Sequence, residues 1–385
     1  PYQYFFEQMH MDDAIYADES IYEYPMQQGG GNDGRPYSFG RPSSGGSKAA
    51  YPCKSYGQGR INPAYFYGVF DPNDMRRDVS ITMTGSNGKG VEKLIPFVPN
   101  SKAEGGGLTL NKWDENRQAN PWVAAQRKSG INGPYMRMSE VYLGYAEVCA
   151  ALGDVVTGKQ YLKTVRERSF PQGLANTDAF IASFGNDLVR AIIEERGFEY
   201  AGEGDRRWTL IRSGYLPEDI KRIKDMTKAM MDGLATKGYY EFENGNIISA
   251  YIWTKLVDAK TIYGHRLTAQ CPTDKVNDPV LYPGWRGQKD NWEEMGLNYG
   301  SSTPATNLAI KGLFEIVSEE EAASLESQGY TKVNWGIDLV DNRDEYDKYL
   351  FWDYDYVSAP IYLWPFTPNV MAAGGFTNGY GFKQE

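Results

Sequence analysis

Ile181, Phe184, Leu188 and Ile192 recur at three- and four-residue steps, the spacing of one face of an α-helix. The same steps carried forward land on Glu195 and Glu199. Two carboxylates therefore share the face that packs inward. A buried carboxylate is costly unless it is paired, so this helix must meet cations wherever it docks. The stretch EERGFEYAGEGDRRWTLIRSG, residues 194–214, carries nine charged side chains in twenty-one positions. The cations nearest in sequence are Arg206, Arg207 and Arg212, on a short second helix that Gly202 and Gly204 allow to turn back. Glu195, Glu199, Glu203, Arg206 and Arg212 thus read as a structural ion-pair joint. A glycoside hydrolase using Glu195 and Glu199 is the competing reading. It requires the pair to face a cleft, and no substrate-shaped feature accompanies these residues.

Upstream, the helical pattern extends. YMRMSEVYLGYAEVCAALG reads as a helix starting at Tyr135 and ended by Gly153, and Asp154 is placed to cap the next helix, VVTGKQYLKTVRERS. Together they occupy Tyr135 to Arg168, 34 residues, the length of one tetratricopeptide unit. In that register Ala146 and Gly158 take the small positions. Tyr142, Tyr145, Cys149, Leu162 and Val165 take the bulky ones. Asn176, Thr177 or Asp178 caps a third helix that runs on through the inward glutamates. The fold class predicted is mainly α, with tetratricopeptide-like helix pairs, long loop-rich insertions and a few short strands.

Loops occupy much of the remainder. Residues 27–63 carry Gly, Ser, Pro and Asn throughout, with no helical period. A loop of that length inside a compact unit is functional or disordered. Short strands are expected at IYEYP, VSITM and LIPFV, and Ser318 with Glu321 forms a capping box closed by Gly329. The segment 271–296 is irregular and places Trp285 and Trp292 in loops. The proline- and aromatic-rich end, from Tyr356, is not expected to form regular helix. Three stretches follow: 1–134 loop-rich with short elements, 135–214 the helical core, and 215–385 a loop-rich C-terminal part, all within one compact unit.

Composition limits the function. A net charge of −10 argues against binding nucleic-acid phosphates. Only His10 and His265 are present, which disfavours a histidine metal site or a Ser-His-Asp triad. Cys53, Cys149 and Cys271 allow at most one disulfide, and Cys149 lies in a helical apolar pattern. No catalytic residues, metal or cofactor are predicted. No run of 18 apolar residues exists to span a bilayer. The chain opens at Pro1 with neither Met nor leader and reads as an internal start, so a missing leader says nothing of location. The 29 Tyr, 9 Trp and 16 Phe are more informative, because many lie in loops, where aromatic faces suit sugar rings and peptide side chains.

The stretch 194–214 resembles the signature of the SusD/RagB family of Bacteroidota through Glu195, Arg196, Glu199, Glu203, Gly204, Arg206, Trp208, Leu210, Ile211, Arg212 and Gly214. Thr209 departs from it, standing where the family usually carries Asp, which puts one capping or ion-pair contact in doubt. Further matches stand in order: an Asp-x-Arg element at Asp74 and Arg76, a helix with Arg137, Glu140, Leu143, Ala146 and Glu147, and an aromatic and proline closing segment. The matches span roughly residues 61–382. The resemblance implies a SusD-like fold and no catalysis. It implies a surface-exposed outer-membrane lipoprotein that captures glycans, or in some cases oligopeptides, as a lid over a SusC-type TonB-dependent transporter. It also implies an N-terminal lipid anchor and further helical repeats that no residue of this chain carries. Part of the family's glycan site comes from loops ahead of the Arg137 helix. The expected ligand contacts are therefore Arg35, Tyr37, Phe39, Tyr51 and Tyr56, with Trp113 further out.

Overall fold

The computed structural model describes residues 19–27, 39–40, 57, 59–86, 92–97, 107–113, 130–170, 173–258, 306–344, 362, 366–375 and 377. The chain enters through strand β1 (Ser20–Tyr24), then helices α1 (Pro63–Gly68) and α2 (Arg76–Ser80). Four short strands follow: β2 (Ile81–Thr82), β3 (Thr84–Ser86), β4 (Glu92–Leu94) and β5 (Thr109–Leu110). Strand β6 (Gly133–Arg137) leads into the helical part. This comprises α3 (Met138–Ala151), α4 (Val155–Glu167), α5 (Thr177–Ala182), α6 (Leu188–Glu199), α7 (Arg206–Ser213) and α8 (Leu216–Lys237). The C-terminal part holds β7 (Tyr239–Glu241), β8 (Ile247–Ser249), β9 (Tyr251–Asp258), β10 (Thr306–Lys311), α9 (Glu319–Ser327), β11 (Thr331–Asn334), α10 (Gly336–Asp341) and α11 (Pro368–Gly374).

The α3–α4 pair forms where the 34-residue unit predicted it. Gly153 takes a φ of +89°, and Asp154 caps α4 by accepting from the Thr157 N–H at 3.1 Å. A Cβ at Gly158 would lie 3.0 Å from the Ala146 carbonyl oxygen and 3.1 Å from Leu188, so a side chain here presses on the helix crossing. Leu143 and Ala146 of α3, Leu162 and Val165 of α4, and Leu188, Ala191 and Ile192 of α6 share one buried cluster, with Cys149 buried nearby as a free thiol. Helix α3 starts three residues later than expected, because Gly133–Arg137 pairs antiparallel with β1 instead.

The predicted third helix is two helices. Gly185 and Asn186 both adopt a φ of 65° and break it, and Asp187 caps α6 through the Arg190 N–H at 3.0 Å. The apolar steps continue across the break, so Glu195 and Glu199 still point inward. Gly202 and Gly204, at φ 84° and 97°, then turn the chain into α7.

A larger core joins the three stretches of chain. Phe66 and Tyr67 of α1, and Phe70 just after it, pack with Met230, Met231 and Leu234 of α8, with Ile252 and Ile310, and with Phe314 and Trp335. The Trp335 indole N–H donates to the Tyr67 hydroxyl at 2.8 Å, satisfying a buried donor that an apolar core alone would leave unmet. Strand β9 is central to an antiparallel sheet in the order β10-β9-β11, with Ile310 opposite Thr254 and Val333 opposite Ile252.

Two further expectations change. In VSITM only Ile81 and Thr82 are strand, since Arg76–Ser80 is helical. The closing segment contains helix α11, begun by Pro368 in its first turn, where a missing N–H costs nothing, and ended at Gly375 with φ 65°. The capping box of α9 forms as predicted, Ser318 and Glu321 each bonding the other's backbone N–H. Trp285 and Trp292 lie outside the described residues.

Candidate functional site

Glu195 and Glu199 are fully buried, and their cations come from far away in sequence. Glu195 accepts from Arg76 at 2.5 Å and from Arg166 at 2.9 Å. Glu199 accepts from Arg137 at 2.7 Å, Arg168 at 2.5 Å and Arg76 at 3.3 Å. Arg76 also binds Asp74 at 2.7 Å. One turn after α6, Glu203 takes Arg137 at 2.8 Å and Lys112 at 2.5 Å.

The expected partnership with Arg206 and Arg212 is therefore corrected. Arg206 binds Glu194 at 2.9 Å and Asp219 at 3.0 Å, and Arg212 binds Glu147 at 2.5 Å. The cause is helical phase. Adjacent residues lie about 100° apart around a helix, so α7 reaches the side of α6 that carries Glu194. The inward side, with Glu195 and Glu199, is covered by α2, by the end of α4 and by β6. The departure at Thr209 is absorbed locally: its hydroxyl accepts from Arg196 Nε at 3.2 Å and donates to Asp205 at 2.8 Å.

Burial pushes the Glu199 carboxyl up, but Arg168, Arg137 and Arg76 together overcome it and hold the group far below the usual carboxylate range. Burial prevails at Asp74, which is raised despite Arg76. It lowers Lys112 to about 8 against the opposing pull of Glu203. Glu199 thus has no proton to give at neutral pH, and neither it nor Glu195 is open to a substrate. Among the described residues no group of three or more His, Cys, Asp or Glu is placed to hold a metal ion.

The candidate ligand residues fare differently. Trp113 is 1% exposed and packs with Val79, Leu110 and Ile131, so it cannot stack on a ligand. The β2–β5 pairing draws this loop segment inward. Phe39 is exposed. Arg35, Tyr37, Tyr51 and Tyr56 lie outside the described residues.

An aromatic surface that no motif in the sequence marks as a site lies on the β1–β6 ribbon. Here Tyr22, Tyr24 and Tyr135 are 57%, 60% and 70% exposed. The rings of Tyr22 and Tyr135 meet edge to face, their centroids 5.6 Å apart and their planes at 86°. Tyr22 and Tyr24 alternate in IYEYP, the signal in the sequence for this surface. The ribbon is pinned at both ends. Asn132 accepts from the Met26 N–H and donates to Glu23, each at 2.9 Å, while Glu19 binds Arg137 at 2.8 Å and Arg168 at 2.6 Å. The charge network thus fixes an aromatic surface.

The SusD family model matches residues 13–365. SusD-like protein P25 of Formosa agariphila is 28% identical over 160 residues, which are 41% of this chain and 26% of that protein. A SusD homologue from Bacteroides thetaiotaomicron superposes with a TM-score of 0.43 at 19% identity, over 58% of this chain and 46% of that one. Surface glycan-binding protein A of the same organism, in complex with laminarihexaose, superposes with a TM-score of 0.39 at 18% identity, over 55% and 46% of the two chains. The matches cover less than half the length of these relatives. The family model spans residues 13–365, most of the chain, and with it the stretch around Glu195 and Glu199: this chain belongs to the SusD family.

Proposed function

We propose that the chain is part of a non-catalytic nutrient-binding protein at the bacterial cell surface, which captures glycans and delivers them to a SusC-type TonB-dependent transporter. The observation that carries this reading is the pinned ribbon, where three exposed tyrosines offer ring faces held in place by hydrogen bonds and ion pairs. Aromatic faces recognise the C–H face of a sugar ring, and neighbouring polar groups set its orientation. Family membership supports the same role, as does a relative described as a surface glycan-binding protein. Arg35, Tyr37, Phe39, Tyr51 and Tyr56 are proposed to complete the surface from the adjoining loop. Attachment to the outer membrane through an N-terminal lipid is part of the proposal. No helix among the described residues is long and apolar enough to cross a membrane.

Calorimetry against a panel of soluble oligosaccharides tests the reading. Binding to at least one is expected. Binding of short peptides with none of any sugar would replace glycans by oligopeptides as the ligand. Co-purification with a transporter from outer membranes tests the partnership.

A further inference from the structure

A cleft of about 1020 Å³ opens between the α5–α6 break, α8 and the β7–β8 turn, and none of the ribbon tyrosines lines it. Its border is more acidic than its own arginines balance: carboxylates outnumber arginines seven to three among the described lining residues. Three of those carboxylates, Asp71, Asp187 and Glu243, pair with no cation among the described residues. Asp71 accepts from the Asn73 N–H at 2.8 Å and Asp187 from the Arg190 N–H at 3.0 Å, bonds that neutralise neither charge. Asp187 and Glu243 are exposed. The three arrive from separate parts of the chain, just after α1, at the start of α6 and between β7 and β8. Charges of one sign gathered around a recess focus a field that draws cations in.

The aromatic lining says what kind of cation. Phe180, Phe184, Tyr215 and Tyr240 all border the cleft and are partly exposed. At two of these rings the protein already lays a guanidinium of its own and ties it to a carboxylate. The Arg166 guanidinium carbon lies 3.8 Å from the Phe180 centroid, and Arg166 bonds Glu195 at 2.9 Å. The Arg190 guanidinium carbon lies 4.0 Å from the Tyr215 centroid, and Arg190 bonds Glu194 at 2.9 Å. The other two rings have a carboxylate close in sequence but no arginine or lysine over them among the described residues. Phe184 and Asp187 share one turn, in which the Asp187 N–H donates to the Phe184 carbonyl at 3.2 Å. Tyr240 lies in β7, and Glu243 follows it three residues later. A planar guanidinium stacks on an aromatic face and is more weakly hydrated than an ammonium, so these sets favour arginine over lysine. They stand on different elements, so a chain carrying several cations reaches both where one small cation reaches one. An anionic ligand would enter against the field.

We propose that this cleft is a docking surface for an arginine-bearing segment of a partner protein. The proposal is independent of the glycan reading, since no sugar takes part in it. The test uses the full chain in calorimetry and hydrogen exchange. The probes are hexa-arginine, hexa-lysine and hexa-glutamate peptides and spermine. Hexa-arginine is expected to bind about threefold or more tighter than hexa-lysine and to slow exchange in 180–190, 215–226 and 240–244. Hexa-glutamate is expected not to bind. Glu243→Gln and Asp187→Asn should each weaken hexa-arginine about threefold and leave the unfolding temperature unchanged, since asparagine also caps a helix. Glu319→Gln removes the same charge from α9, outside the cleft, and should leave the affinity unchanged. Equal losses in all three variants, or protection only outside the cleft, would trace binding to the net charge of the chain and overturn the docking surface. Hexa-lysine binding as tightly as hexa-arginine overturns the guanidinium assignment, and spermine binding as tightly in the cleft overturns the polypeptide one. Absence of hexa-arginine binding, or binding of hexa-glutamate in the cleft, overturns the proposal outright.

Discussion

Arg137 donates to Glu199 over 2.7 Å although the two residues stand 62 positions apart. Arg137 ends β6, and Glu199 ends α6, of whose twelve residues eleven are buried. The same guanidinium reaches Glu203 at 2.8 Å and Glu19 at 2.8 Å, and its carbon lies 4.8 Å from the Tyr200 ring centroid. One side chain therefore ties the aromatic ribbon to the helical core.

Arg137→Ala should destabilise the protein by about 3–5 kcal/mol, because it leaves buried carboxylates short of a cation. That is a large share of the roughly 5–15 kcal/mol that holds a domain together. Urea denaturation followed by circular dichroism measures it. A loss below about 1 kcal/mol would show that the remaining cations compensate, and would refute the assignment of Arg137 as the tie.

Acid should weaken the same joint. The folded value of Glu199 lies far below its unfolded value of 4.5. Its contribution is therefore whole above about pH 4.5 and is lost as the pH falls further. Asp74 has the opposite sign, since its raised folded value favours the acid side. Comparison with Glu199→Gln isolates the first effect. The wild type should unfold at a higher temperature than the variant at pH 7, and the gap should narrow steadily from pH 4.5 to pH 3. A gap independent of pH would remove Glu199 as the titrating group.

What the sequence made legible follows one rule. Local patterns predicted local structure, including the α3–α4 pair, the Asp154 cap, the glycine turn at 202–204 and the α9 capping box. Period also told which face of α6 is inward. It could not tell which cations lie across from that face, because Arg76, Arg137, Arg166 and Arg168 arrive from three other segments. The nearest arginines in sequence serve Glu194 and Glu147 instead. The break at Gly185–Asn186 was hidden because Phe184 and Leu188 keep a four-residue step across it. Trp113 sits in loop-like sequence yet turns inward, a consequence of strand pairing that composition does not record.

The Thr209 hydroxyl links Arg196 to Asp205, accepting from one and donating to the other. Thr209→Val keeps the shape and removes both bonds, to Arg196 and to Asp205. A loss of about 0.5–1.5 kcal/mol is expected, the net worth of a hydrogen bond in a folded protein. Arg196 keeps its 2.6 Å bond to Asp205, which limits the damage. Thermal unfolding checks this, and a neutral substitution would mean the hydroxyl contacts contribute nothing.

Gly158 tests the helix crossing. In an open helix, replacing glycine by a residue of better propensity stabilises. Here a side chain would press on the Ala146 carbonyl oxygen at 3.0 Å and the Ala150 nitrogen at 3.3 Å, both backbone atoms that cannot swing away. Gly158→Val should therefore destabilise by about 1–3 kcal/mol, the usual range for overpacking. Gly144, with nothing within 4 Å of its added Cβ, is the control: Gly144→Ala should be neutral or stabilising. If both changes stabilise, α3 and α4 do not cross at Gly158.

The ribbon gives the functional prediction. Tyr22 and Tyr135 are largely exposed, so Tyr22→Ala and Tyr135→Ala should change stability by no more than about 0.5 kcal/mol. If sugar rings stack there, each change should weaken glycan binding by about 0.5–1.5 kcal/mol, the typical worth of an aromatic contact, or roughly two- to tenfold in affinity. Phenylalanine at either position keeps the ring face and should retain most of the affinity, which separates stacking from hydrogen bonding by the hydroxyl. Arg137→Met adds a second expectation. It leaves both tyrosines in place but releases the end of β6, so it should weaken binding through loss of preorganisation. Calorimetry with the sugar found to bind best reads all of these. Unchanged affinity in both alanine variants would place glycan recognition away from the ribbon.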